Sequence, residues 1–366
     1  MDLRMTGGLR SMEPSVSVTV DGRPDRPAVP AAPPRAGSAL TALVRVASTY
    51  GLVVLLLALI AFFGLHPETS DTFLTAANWR TLIGSQAVLL VTALAFTLPL
   101  IAGEYDLSSG GVVVACGVLF AGLVSGYDAP IVGSVRLSPI VALLVTVGVG
   151  ALIGLVNGVL VGLEVPSLIA TLGTTIVLGG LTTWYTGGQT ISTGLPRAVR
   201  DLGSATWFGV PMPAVLALVV ALVVWYVLTH TPYGRRLHAI GSNAAAAQLV
   251  GIRVRRVVLA SFVLGGGLAA CAGCLLTARQ GSGVPANGLS FVLPALAGTF
   301  LGATVIRPGQ YNVIGTIVGL LFVAVSVNGL NLMGVDVWIQ PVFNGLALIV
   351  AVLLSGVLHR RMAART

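Results

Sequence analysis

The chain has 366 residues, 55% of them hydrophobic and only 9% charged, with 46 Gly, a composition that excludes a soluble globular domain. All 20 cationic residues are Arg, so a phosphate-binding G-x-x-x-x-G-K-[ST] loop and Schiff-base chemistry, which both need Lys, are excluded too. The net charge of +8 does not point to nucleic acid, because most of the Arg residues flank apolar runs and act there as a topology signal.

Residues 1–40 hold Pro14, Pro24, Pro27, Pro30, Pro33 and Pro34 with mixed charges and no apolar periodicity, which predicts a disordered tail. Residues 41–366 then form one transmembrane domain. The first 30 residues lack an apolar segment, which argues against a cleaved signal peptide. The run that opens near Val44 reads instead as a retained signal anchor.

Apolar runs place spans at 44–65, 81–102, 109–126, 137–163, 167–186, 212–230, 256–278, 289–306, 311–328 and 338–358. Each can cross the hydrocarbon at about 1.5 Å per residue. The expected fold is therefore an all-α polytopic membrane protein of about ten transmembrane helices. The third span opens on Ser108, Ser109, Gly110 and Gly111, and the eighth carries Pro294, Gly298 and Gly302, so either could be broken or re-entrant. Spans two to five and seven to ten are groups of equal size entering from opposite faces, the arithmetic of an inverted-topology repeat.

With the N-terminus inside, only Arg80, Arg136, Arg197, Arg200 and Arg279 fall outside, and the other 15 of the 20 Arg residues are cytoplasmic. Both termini are expected in the cytoplasm. Cys116, Cys271 and Cys274 lie within apolar runs, so no extracellular disulfide framework is expected. Cys271 and Cys274, spaced C-x-x-C, read as small residues packed between helices. The four His residues, at 66, 230, 238 and 359, show no metal spacing, and no nucleophile and base converge.

The connection 231–256 is the most informative stretch outside the spans. Thr231 and Pro232 open a helix, Gly241-Ser242-Asn243 ends it and caps a second, and Ala244 to Leu249 is rich in helix formers. Two short helices on the cytoplasmic face could be an interfacial linker touching anionic lipid through Arg235 and Arg236. The sharper alternative is that they dock a cytoplasmic partner. Tyr233, Gly234, Arg235, Ala239, Gly241, Asn243, Ala246, Ala247, Gly251 and Ile252 match Y-G-R-x-x-x-A-x-G-x-N-x-x-A-A-x-x-x-G-I, and so the loop resembles the coupling region of permease subunits from bacterial ABC importers of the sugar type.

Other segments resemble the same family. Gly103-Glu104-Tyr105-Asp106-Leu107-Ser108 is similar to G-G-I-D-L-S; Asn157-Gly158 through Val165-Pro166-Ser167 and Thr171 to Gln189, and Asn328-Gly329-Leu330-Asn331-Leu332, match further blocks. The resemblance implies a non-enzymatic permease that moves a sugar or similar polar molecule across the bacterial plasma membrane by alternating access. It implies a cytoplasmic ABC ATPase partner, an extracytoplasmic sugar-binding protein, a second permease copy or homologue, and no cofactor on this chain, ATP and Mg being used by the ATPase. Gly234, Arg235, Arg236, Ala239, Gly241 and Asn243 would carry the coupling. The chain departs from the family at Glu104, which stands for a Gly; at Val292 and Pro294, where an acidic pair is usual; and at Arg307-Pro308-Gly309-Gln310, where a Gly-rich turn is usual.

Polar groups within spans are costly unless paired or facing a cavity. Glu104, Asp106, Asn157, Thr171, Gln189, Asn328 and Asn331 are accordingly candidates for either a pathway or interhelical packing. Asp106, followed by Ser108 and Gly110, suits a helix cap. Glu104 would reach the interface or line the pathway. The rival from another class is an ion-coupled secondary transporter, with Glu104 and Asp106 as proton or Na⁺ ligands.

Overall fold

The computed structural model describes residues 38–130, 133–306 and 308–336, with 338, 339, 341–343, 345, 346 and 349, and side chains from Tyr50 onward. The tail before residue 38, and most of the tenth expected span, lie outside the described residues. Helix α1 (Ser38–Leu65) leads through a single turn, α2 (Ser70–Phe73), into α3 (Ala76–Ile101), α4 (Ser108–Ser125), α5 (Pro139–Gly162) and α6 (Ser167–Thr186). A connecting region follows, with α7 (Arg197–Ser204) and the antiparallel strands β1 (Thr206–Trp207) and β2 (Val210–Pro211). Then come α8 (Met212–His230), α9 (Pro232–Ser242), α10 (Ala244–Leu249), α11 (Val254–Gln280), α12 (Leu289–Gly302) and α13 (Val313–Leu332).

Among the described residues seven helices, α3, α4, α5, α6, α8, α11 and α13, are long and apolar enough to span. The third expected span is a continuous helix, α4. Its opening glycines do not break it; Gly110 lets the chain at Gly288 come close, since a Cβ there would strike the Gly288 carbonyl. The eighth is shorter than expected. At 14 residues, α12 reaches about 21 Å, less than the ~30 Å hydrocarbon core. The chain before it runs non-helically beside α4, from Gly283 against Val118 and Ala121 to Gly288 against Gly110 and Gly111.

Core and lipid faces separate by helix. The central helices α3, α4 and α11 bury Val88, Val113, Ala269 and Ala272 together, whereas α5, α6 and α8 turn Leu144, Ile176 and Tyr226 outward. Where no hydrophobic force distinguishes a helix neighbour from lipid, close backbone approach does the packing. Gly150 and Gly154 of α5 press on Gly266 and Phe262 of α11; Gly298 and Gly302 of α12 press on Gly319 and Gly315 of α13. The G-x-x-x-G pair thus packs within the chain. Cys116, Cys271 and Cys274 are free thiols set among these apolar clusters.

The bundle has two distinguishable ends. At one, the last turn of α3 and the first turns of α11 and α13 gather around α9, with Leu98, Ile101, Leu237, Val257 and Val313 in one cluster. At the other, the start of α3 meets the β1–β2 turn, where Phe208 (φ 48°) and Gly209 (φ 82°) take the left-handed backbone of a two-residue hairpin. Arg80 Nε donates to the Gly209 carbonyl at 2.9 Å.

Candidate functional site

Helices α9 and α10 form a small platform. Thr231 caps α9 by accepting the Gly234 N–H at 3.4 Å, Pro232 sits in the first turn, and Asn243 caps α10 by accepting the Ala246 N–H at 3.0 Å. This is the two-helix arrangement expected from Thr231-Pro232 and Gly241-Ser242-Asn243. The underside of α9 is keyed to the bundle by Leu237 and Ile240, 0% and 3% exposed. Gly234 packs on the last turn of α8 and Gly241 on the Ile101 carbonyl at the end of α3, each so closely that a Cβ would overlap backbone. Their close approach is made to this chain's own helices. Tyr233 inserts beside them, its phenol pushed up from the usual range by burial.

The opposite face of the platform is open. Arg235, Arg236 and Asn243 are exposed, and Ala239 is half-buried. Leu249 and Val250, which sequence reasoning left out, are 89% and 78% exposed. Arg253, Arg255 and Arg256 are exposed nearby, Arg255 pairing with Glu164 at 3.3 Å. Leu249 and Val250 are thus an exposed apolar pair within a cationic surround at one end of the bundle. The signal that could have found it was two aliphatic residues ending a polar, Ala-rich helix.

Beyond Ile101 the chain turns at Gly103 (φ 89°) and passes Glu104, half-buried and with no side-chain hydrogen bond among the described residues. Asp106 is 1% exposed. Its carboxylate accepts the Ser108 N–H at 3.0 Å and the Ser108 hydroxyl, so it satisfies the first N–H of α4 from the residue before the N-cap, Leu107. Asn157 of α5 donates to Ser108 Oγ at 2.8 Å and accepts from Thr174 Oγ1 of α6 at 2.6 Å. Along α6, Ser167 accepts the Tyr105 N–H, Thr171 accepts the Leu107 N–H, both at 3.1 Å, and Thr175 donates to the Leu107 carbonyl at 2.9 Å. Residues four apart on a helix share a face. Ser167, Thr171 and Thr175 thereby clamp a non-helical stretch whose backbone groups need partners away from water.

The seven polar candidates are not gathered at one place. Glu104, Asp106, Asn157 and Thr171 belong to the α9 end, whereas Gln189, Asn328 and Asn331 lie at the other. Gln189 is an exposed turn residue. Asn328 exchanges two hydrogen bonds of 2.9 Å with Asn78 at the start of α3. Asn331 lines a cavity between α3, α12 and α13. Gln86, in the same cavity, was missed because a single amide in a long apolar run leaves no pattern.

A bundle in which seven of the described helices are long and apolar enough to span, with a cationic platform at one end, is the architecture of a polytopic membrane protein. The family model described as branched-chain amino acid transport system / permease component matches residues 79–352, and the chain belongs to this family. It is 36% identical to a ribose import permease of Bacillus subtilis over 290 residues, 78% of this chain and 87% of that one. It is 32% identical to a ribose import permease of Escherichia coli over 307 residues, 82% and 92% of the two, and 30% identical to an autoinducer 2 import permease of Salmonella choleraesuis over 303 residues, 82% and 84%. No solved structure is significantly similar. The chain is the membrane-spanning permease of an ABC importer rather than an enzyme or an ion-coupled carrier, as the motifs resembling sugar-type permeases implied.

Proposed function

We propose that this permease imports a sugar or similar neutral polar molecule, with the α9–α10 platform facing the cytoplasm and docking an ABC ATPase. The observation that carries the reading is the platform itself, keyed to the bundle below and open above through Arg235, Arg236, Leu249 and Val250. Two permeases, one ATPase pair and an extracytoplasmic binding protein would complete the importer, with ATP and Mg held by the ATPases. Both termini would then be cytoplasmic, in keeping with the Arg asymmetry. Inward and outward openings would alternate as ATP closure moves the platform.

Import of ribose and of autoinducer 2 by the relatives supports a small polyol or related ring as the substrate. The test is uptake of D-ribose and a panel of aldoses by the complete importer in ATP-loaded vesicles. Uptake should survive a protonophore, vanish without the ATPase, and fall in Arg235→Glu/Arg236→Glu. Uptake that persists without any ATPase, or is lost with the protonophore alone, would overturn the reading.

A further inference from the structure

A cavity of about 230 Å³ lies between α3, α12 and α13 at the end of the bundle opposite the platform. Its chemistry changes along its depth. Toward the outer ends of α3 and α13 its lining mixes Thr81, Ser85, Gln86, Asn328 and Asn331 with Leu82 and Val327, and further in, at Leu89, Leu320 and Pro294, it is apolar. Spacing explains the lining: Thr81, Ser85 and Leu89 recur every four residues on α3, and Leu320, Val327 and Asn331 follow one face of α13.

The polar members are not equivalent. Asn328 is held by Asn78, and Thr81 and Ser85 donate to carbonyls of their own helix at 3.0 and 2.7 Å. The amides of Gln86 and Asn331 make no hydrogen bond among the described residues. Gln86 lies in a spanning helix, where an unpaired amide is costly unless it faces water or a ligand. No lining residue is charged. An amino acid zwitterion would leave both of its charges without partners here. A neutral ring carrying hydroxyls would not, since amides and hydroxyls both donate and accept, and the aliphatic end suits its C–H face. The volume falls below the ~300 to 1,000 Å³ of drug-sized clefts, which fits one ring rather than an oligomer.

We infer that this cavity is a binding site for a neutral, polyhydroxylated single-ring substrate, held between Gln86 of α3 and Asn331 of α13 with Asn328 positioned by Asn78. The inference rests on the import of a sugar-like molecule argued above. It predicts where in the permease that molecule pauses after leaving its binding protein.

The complete importer, reconstituted with its ATPase and binding protein, is assayed with radiolabelled D-ribose and the aldose panel. Gln86→Leu and Asn331→Leu should each lower uptake at saturating binding protein by about fivefold or more, the change expected for one lost hydrogen bond. Thermal stability should stay as in the unmodified complex, and Gln86→Asn should recover part of the uptake. A Cys in place of Gln86 should react with an externally added, membrane-impermeant thiol reagent, and the transported sugar should slow that reaction. Full-rate uptake by both Leu variants, with no sugar protection at position 86, would overturn the site alone. Failure of the unmodified complex to take up any aldose would instead overturn the sugar reading and this site with it.

Discussion

Replacing Gly241 with Ala tests the platform most directly. The added Cβ would sit deep inside the contact distance of the Ile101 carbonyl oxygen, a backbone atom at the end of α3 that has no rotamer to escape into. Relief needs α9 to lift from α3 by more than about 1 Å, at an overpacking cost of about 1 to 3 kcal/mol. Against that stands the burial of Leu237 and Ile240, 0% and 3% exposed, worth about 1.5 to 3 kcal/mol each, or about 3 to 6 together. The anchoring outweighs the clash, so α9 should remain folded and docked but displaced. The variant should therefore insert and purify normally, while substrate moved per ATP hydrolysed falls severalfold in vesicles holding the complete importer. Gly148→Ala, where an added Cβ meets nothing within 4 Å, is the matched control and should behave as the unmodified chain. A Gly241→Ala importer with unchanged stoichiometry and rate would refute the argument that this contact sets the position of the platform.

Asp106→Ala leaves the Ser108 N–H and hydroxyl without their acceptor and should lower thermal stability by about 1 to 3 kcal/mol; Asp106→Asn, which keeps one acceptor oxygen, should lose less in the same melting assay. Glu104→Gln should leave uptake and its pH dependence unchanged, because the side chain makes no hydrogen bond among the described residues. Thr171→Val should destabilise the protein, and Thr171→Ser should restore it, since only the hydroxyl accepts the Leu107 N–H. For orientation, a Cys at exposed Ser192 should be labelled from outside intact cells and one at Ser242 should not; Gly203 is unsuitable as a second outer probe because its Cβ would overlap the Ala278 carbonyl.

The sequence announced features that are local and failed on those set by distant packing. Thr231-Pro232 and Asn243 placed α9 and α10 because caps act within four residues; Asp106, expected as the cap of α4, stands one residue ahead of the N-cap Leu107 and accepts the first N–H of the helix instead. The direction in which Gly241 packs was not, because a glycine marks a close approach without naming the partner. Asn328 reaches a partner 250 positions away, a pairing no local pattern encodes. The length of α12 was overestimated because the hydropathy of 289–306 carries past its end, into turns that include Ile306 at φ 65°. The hairpin after α6 was not legible, because Phe208 takes the left-handed position (φ 48°) where Asn, Asp or Gly is usual. The tenth expected span and the inverted repeat that depends on it extend beyond the described residues.

The hydroxyls of Ser167, Thr171 and Thr175 have a mechanical consequence. They fasten residues 105–107 to α6, while Ser108 and Asn157 tie the same stretch to α4 and α5. What looks like a loose hinge after α3 is therefore a stiff joint, with hydrogen bonds on several sides and little freedom to bend. Under the proposed coupling, a push delivered through Gly241 onto the end of α3 would be shared by α4, α5 and α6 rather than dissipated there as local bending. That joint is built from the hydroxyls of Ser108, Ser167, Thr171 and Thr175, the Asn157 amide and the Asp106 carboxylate.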